Sequence, residues 1–210
     1  MTAPYVNTGP VRAVLGALVT GVLLAALGCG SDPTGDDPGD NGGDPVDDST
    51  FTNPLTQSGP DPWMTYHDGS YYLATTTWGG ASTGLTMRRA PTIAALKEAP
   101  AEQIWQDATP DRCCNYWAPE FFLLDGPNGP RWYGYYTGGA AGGDFVNTQY
   151  VHVIESAGTD PMGPYTYKGK LVERNALDAS VMELDGTLYA LYSVWNATQD
   201  LAIKEMSSPW

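Results

Sequence analysis

Three acidic side chains stand at matching places along a chain of 210 residues. Asp61 lies seven residues before the Asp68-Gly69 dipeptide, Asp178 lies seven before Asp185-Gly186, and Glu120 lies five before Asp125. Carboxyl groups brought to one cavity shift each other's ionisation, so one stays charged as a base while another tunes its surroundings. Hydrolysis of a glycosidic bond uses paired carboxyl groups in this way. Each acid also has a plain structural use. Asp61 precedes Pro62 and could open a turn, Glu120 follows Pro119 and could end a strand in solvent, and Asp178 could close an Asx-turn. Their common register is what argues for chemistry. Trp63, Trp78, Tyr116, Trp117 and Trp195 fall near the same ends of their segments. A flat ring there suits the apolar face of a sugar, and packing between sheets is its other use.

Other chemistries lack their signatures. The chain has no Gly-x-Ser-x-Gly elbow, no His-Glu-x-x-His, no phosphate-cradling loop and no EF-hand pattern. His67 sits beside a turn and His152 on an alternating strand, so both read as structural rather than as metal ligands. Gly138, Gly139, Gly142 and Gly143 form a loop with no helix behind it, which argues against nucleotide binding.

The elements that must position the acids are strands. Trp63 to Tyr66 and Tyr71 to Thr77 flank Asp68-Gly69; Phe121 to Leu124 and Trp132 to Thr137 flank a longer turn from Asp125 to Pro130; Val181 to Leu184 and Leu188 to Val194 flank Asp185-Gly186. Asp-Gly between alternating apolar runs is a strong hairpin signal. Third strands follow at Leu85 to Arg89, Val151 to Glu155 and Leu201 to Glu205, and fourth strands at Gln103 to Gln106 and Thr166 to Leu171. A weak helical period appears around Ile93 to Leu96. The aspartates of the turns repeat at 57 and 60 residues, the period of a four-stranded propeller blade. The expected fold is all-β, a propeller of two full blades and most of a third, with a β-sandwich as the alternative. Residues 51–210 would then leave faces of the first and third blades uncovered, as in a truncated propeller.

What precedes residue 51 is of another kind. Arg12 and the apolar run Ala13 to Gly28 read as a targeting signal, short for a membrane span. Leu27-Gly28-Cys29 looks like a bacterial lipoprotein lipobox, although Ala26 stands where that motif prefers Leu. A lipoprotein-type signal over 1–28 would leave Cys29 acylated and anchored to a membrane, with Gly30 weakly favouring the outer one. Cleavage as an ordinary secretory signal is the alternative, and export follows from both. Residues 29–50 form a tether: seven aspartates lie between Ser31 and Ser49 among Gly, Pro and Asn, with almost nothing apolar to bury. The net charge of −14 argues against a nucleic-acid partner. Cys113 and Cys114, adjacent in sequence, have each other as intrachain partner in an oxidising compartment; two buried thiols are the alternative to a disulfide.

The segments Gly59-Pro60-Asp61-Pro62-Trp63, Tyr116-Trp117-Ala118-Pro119-Glu120 and Ala176-Leu177-Asp178-Ala179-Ser180 resemble three successive motifs of glycoside hydrolase family 43. The stretch from Glu155 to Tyr165 is similar to arabinan-active members, the exo-acting α-L-arabinofuranosidases. The likeness runs over residues 51–210. It implies a five-bladed propeller and inverting hydrolysis of arabinose- or xylose-containing carbohydrate such as arabinan or arabinoxylan. By this resemblance Asp61 is the general base, Asp178 modulates the acid's pKa and orients substrate, and Glu120 contacts substrate or is structural. Trp63, Trp78, Trp117 and Trp195 are the candidate sugar-binding rings. Leu177-Asp178-Ala179 departs from the family's Ile-Asp-Gly, which restricts the backbone and keeps the carboxylate. The family's general acid is a glutamate of the fourth blade in a Glu-Gly-Pro-like motif, which this chain lacks; Glu173, Glu183 and Glu205 have a different context. The expectation is an enzyme truncated before its acid, with an inactive surface sugar-binding propeller as the alternative and a propeller-like interaction module after that. Some relatives hold an axial calcium ion, for which no ligand motif is recognisable here.

Overall fold

Asp68 and Gly69 both take left-handed backbone, with φ of 44° and 76°, and Asp185 and Gly186 repeat it at 52° and 76°. Two consecutive positive φ values make the two-residue turn whose twist matches a β-hairpin, and Asp-Gly tolerates them well. The computed structural model describes residues 50–77, 84–142, 144–145 and 147–210. The expected signal segment, Cys29, most of the expected tether and Trp78 lie outside the described residues. The first turn joins β1 (Trp63–His67) to β2 (Ser70–Ala74), and β3 (Leu85–Ala90) and β4 (Glu102–Trp105) complete an antiparallel sheet in the order β1-β2-β3-β4. A second sheet follows from β5 (Cys114–Gly126), β6 (Gly129–Gly139), β7 (Tyr150–Ser156) and β8 (Tyr165–Lys170). β9 (Ala176–Leu184), β10 (Thr187–Asn196) and β11 (Thr198–Met206) make the third.

Strands in each sheet lie side by side in chain order. That is the meander of a propeller blade, whereas a sandwich would divide its strands between two sheets by long crossings. The described residues thus form three blades, I to III. The weak helical signal resolves into a short 3-10 helix, Ala94–Lys97, whose Leu96 is fully buried. The second hairpin differs from its expected form. Its turn is residues 127–128, with Gly126 opposite Gly129, so both strands run farther than their apolar centres suggested.

Alternation along each strand sends one side of a blade to each neighbour. Between blades I and II, Tyr72, Met87, Tyr116, Phe121, Trp132 and Tyr136 interlock in one buried cluster. Between blades II and III, Val151, Val153 and Leu171 meet Ala179, Val181 and Val194. The far side of blade III shows Met182, Leu184, Leu201 and Ile203 to solvent, Leu201 at 78% exposure. On blade I, Leu73 and Ala90 are roofed by Leu96 and Ala99 of the β3–β4 connection.

Candidate active site

Immediately before or within the first strand of each blade the backbone turns left-handed: at Asp61 (φ 51°) in blade I, at Asn115 (φ 58°) and Ala118 (φ 42°) in blade II, and at Asp178 (φ 54°) in blade III. The residue ahead of each still faces the second strand. The Pro60 carbonyl accepts from the Thr76 amide at 3.0 Å, Trp117 stands opposite Thr137, and Leu177 stands opposite Ser193. The ladder shifts register around these points in blades II and III, a bulge that re-aims the next side chain. Asp pays less than most residues for this conformation, because its short polar chain bonds locally.

Asp61, Pro62, Ala118, Pro119, Glu120 and Asp178 line one open cavity of about 310 Å³. The three acids named from the sequence therefore meet in space, though not at equivalent positions. Asp61 stands six positions before the end of its strand at His67, and Asp178 stands six before Leu184; in blade II the left-handed residue at the cavity, Ala118, stands eight before Gly126. Two extra residues per strand place Glu120 one step farther along β5, opposite Tyr135. The register drawn from the turns is therefore corrected: blade II offers a methyl group where blades I and III offer carboxylates. Glu120 lines the same cavity beside Ala118 and Pro119, at the point where the β5 ladder shifts register.

The two aspartates are held differently. The Thr76 hydroxyl donates to Asp61 Oδ2 at 2.5 Å and accepts the Ala118 amide at 2.7 Å. The Asp178 amide donates to the Thr137 hydroxyl at 3.1 Å, while its carboxylate accepts from Gln199 Nε2 at a long 3.4 Å. Asp178 keeps contact with solvent, yet the cavity wall desolvates its carboxyl and raises its pKa. The negative charge of Asp61 adds to that rise, and the Gln199 amide opposes it.

The aromatic candidates separate. Trp63 is absent from the cavity wall: its ring packs between blades, 5.0 Å from Phe121 and 6.1 Å from Trp132. Its place in the sugar-binding set is thereby corrected: Asp61 lies ahead of β1 in left-handed backbone, so strand alternation does not extend from it to Trp63, whose ring enters the blade junction. Trp117 is half-buried, 5.3 Å from the Phe145 ring on the loop between β6 and β7. Trp195 is exposed near the end of β10, opposite Gln199. Sequence reading missed Thr76, Thr137, Gln199 and Phe145. The first two carried a signal, being the hydroxyl residues opposite each motif; the others carried none.

The remaining singled-out residues are structural. Cys113 and Cys114 are joined in a disulfide, both buried, just where β5 begins. His67 Nε2 donates to the Thr159 carbonyl at 3.0 Å. His152 is fully buried; its Nε2 donates to the Gly138 carbonyl and its Nδ1 accepts from the Tyr167 hydroxyl. Burial, with help from Lys170 and Arg112, pushes its pKa down to about 4 against the pull of the Gly138 bond, so the ring is neutral. Among the described residues no three His, Cys, Asp or Glu side chains gather into a group that could hold a metal ion. Among them, too, no helix is long and apolar enough to cross a membrane.

Comparison with known proteins bears on this cavity. Residues 51–210 match the family model described as glycosyl hydrolases family 43. An extracellular exo-α-(1→5)-L-arabinofuranosidase of Streptomyces avermitilis is 32% identical over 170 residues, which is 77% of this chain and 34% of that protein. An α-L-arabinofuranosidase 43 of Humicola insolens is 30% identical over 172 residues, 76% of this chain and 34% of the relative. The crystal structure of an α-L-arabinofuranosidase from Lactobacillus brevis matches with a TM-score of 0.66 at 27% identity, over 79% of this chain and 54% of that one. The chain thus spans about a third of the length of these curated relatives and about half of the solved one.

Proposed function

This chain belongs to glycosyl hydrolases family 43, and from that premise we propose that it serves hydrolysis of α-L-arabinofuranosyl bonds in arabinan-type carbohydrate. The observation that carries the reading is the shared cavity, with Asp61 and Asp178 at equivalent positions of blades I and III. Asp61 takes a proton from a water molecule as the water oxygen attacks the anomeric carbon. The bond from that carbon to the leaving oxygen breaks, and attack from the opposite face inverts the centre. The leaving oxygen needs a proton, which the family resemblance assigns to a glutamate of a fourth blade. Asp178 supplies negative charge beside the reacting ring, and desolvation together with the Asp61 charge raises its pKa. Glu120 contacts substrate from the blade II side, with Trp117 and Trp195 as rings at the rim. The extracellular name of the Streptomyces relative supports export, and acylation of Cys29 would place the enzyme on a membrane surface.

The test uses two substrates with the full chain. 4-Nitrophenyl α-L-arabinofuranoside releases a phenolate that departs without a proton donor, whereas linear arabinan releases an alkoxide that requires one. Hydrolysis of the aryl glycoside, lost in Asp61→Asn with the circular dichroism unchanged, supports the assignment of the base. Arabinan bound but neither substrate cleaved would replace it with a surface carbohydrate-binding role. A folded protein that neither binds nor cleaves would end the carbohydrate reading.

A further inference from the structure

Thr76 is 5% exposed and has one hydroxyl proton to give. The Ala118 amide can only donate, so the hydroxyl accepts there at 2.7 Å and turns its own proton to Asp61 Oδ2 at 2.5 Å. The backbone around it is fixed as well: the Thr76 amide bonds the Pro60 carbonyl and the Thr77 amide bonds Tyr116 O of blade II, both at 3.0 Å. One side chain thus ties a carboxylate of blade I to the main chain of blade II.

We infer that Thr76 is the positioning residue of this site, setting where the Asp61 carboxylate stands by linking it to the junction between blades I and II. This rests on the proposed hydrolytic function. The molecule contains its own control. Thr137 in blade II accepts the Asp178 amide at 3.1 Å, the same clasp to the next blade, but the residue of its own blade at the Asp61 position is Ala118, which has no carboxylate to hold. Replacing Thr137 removes a clasp; replacing Thr76 removes a clasp and the hold on the base. A reactive group displaced by even a fraction of an ångström loses much of its effect.

The experiment compares Thr76→Val, Thr76→Ser and Thr137→Val in the full chain on 4-nitrophenyl α-L-arabinofuranoside. Thr76→Val is expected to lower kcat by about 10- to 100-fold with KM little changed, and Thr76→Ser to restore it. Thr137→Val should share the loss of thermal stability without the same loss of kcat. Equal kcat losses in the two valine variants, or a Thr76→Val enzyme with normal kcat, would overturn the inference. The side-chain carboxyl 13C resonance of Asp61, identified by its loss in Asp61→Asn, reads the link without turnover. Movement in Thr76→Val, return in Thr76→Ser and no movement in Thr137→Val support it; an unmoved resonance overturns it. An inactive wild-type protein whose resonance does move would sink the hydrolytic reading and leave the link standing. If Thr76→Val does not fold, Thr76→Ala removes the same hydroxyl without a second methyl group.

Discussion

Between blades I and II the buried interior is largely aromatic, with Tyr72, Tyr116, Phe121, Trp132 and Tyr136 interlocked, whereas between blades II and III Val151, Val153, Ala179, Val181 and Val194 dominate beside Tyr133 and Tyr135. Each junction carries an aspartate at its cavity end in the same left-handed conformation. At the first, Asp61 meets a hydroxyl donor; at the second, Asp178 meets a distant amide and the charge of Asp61 itself. The backbone therefore decides where a carboxylate is presented, and its neighbours decide what it can do there. A base needs a fixed direction toward its water. A charge that tunes the site needs only to be near.

The sharpest way to break this comparison is to neutralise each aspartate in turn. Asp61→Asn should lower the rate on the aryl arabinofuranoside by about two to four orders of magnitude, the range of a lost general base. Asp178→Asn should cost on the order of tenfold on that substrate, as expected for a weakened electrostatic contribution. Equal losses would erase the division of roles.

A second difference lies in pH. The junction between blades I and II packs His152 against Tyr136, and the other junction holds no imidazole. Unfolded, that ring takes a proton near its ordinary 6.5; folded, it resists until about 4. Stability is then full above the first value and falls as pH drops through the interval, by about 3 kcal/mol in all. His152→Gln keeps an amide donor for the Gly138 carbonyl and does not titrate. Urea midpoints measured from pH 7 to pH 4 should fall in the wild type and stay level in the variant; parallel curves would show that the acid sensitivity has another source.

The smallest effect concerns Asp178 alone. Its titration, followed by carboxyl 13C NMR, should move toward the ordinary aspartate range in Asp61→Asn and stay above it because desolvation remains. Gln199→Leu should move it the other way, since an opposing donor is lost. A midpoint indifferent to Asp61 would mean that the two carboxylates do not sense each other.

Most of this architecture was legible because hairpins announce themselves. Asp68-Gly69 and Asp185-Gly186 carry the turn in their own conformational preferences, and the alternation on either side says which strand follows. Blade II was read less well because Pro127 and Asn128 make its turn while Asp125 lies inside β5, so counting back from Asp125 gave Glu120 a register that belongs to Ala118. Trp63 shows a second limit. A tryptophan two residues from a candidate base looks like a sugar platform, and in the structure its ring packs in the junction. Thr76 and Thr137 escaped notice because a threonine in a strand is ordinary; their role appears when the sheets are laid side by side.

The left-handed residue that each blade presents to the cavity has a meaning for how such a protein can change over generations. At Ala118 and Asp178 the blade is fastened through the main-chain amide, with no demand on the side chain beyond tolerance of a positive φ. The position is an address whose content is free. Blade III fills it with an acid and blade II leaves it blank, while in blade I the acid's own carboxylate accepts a bond from Thr76. A lineage can therefore gain, lose or move a reactive group around the ring by single substitutions while the scaffold that aims it is inherited unaltered.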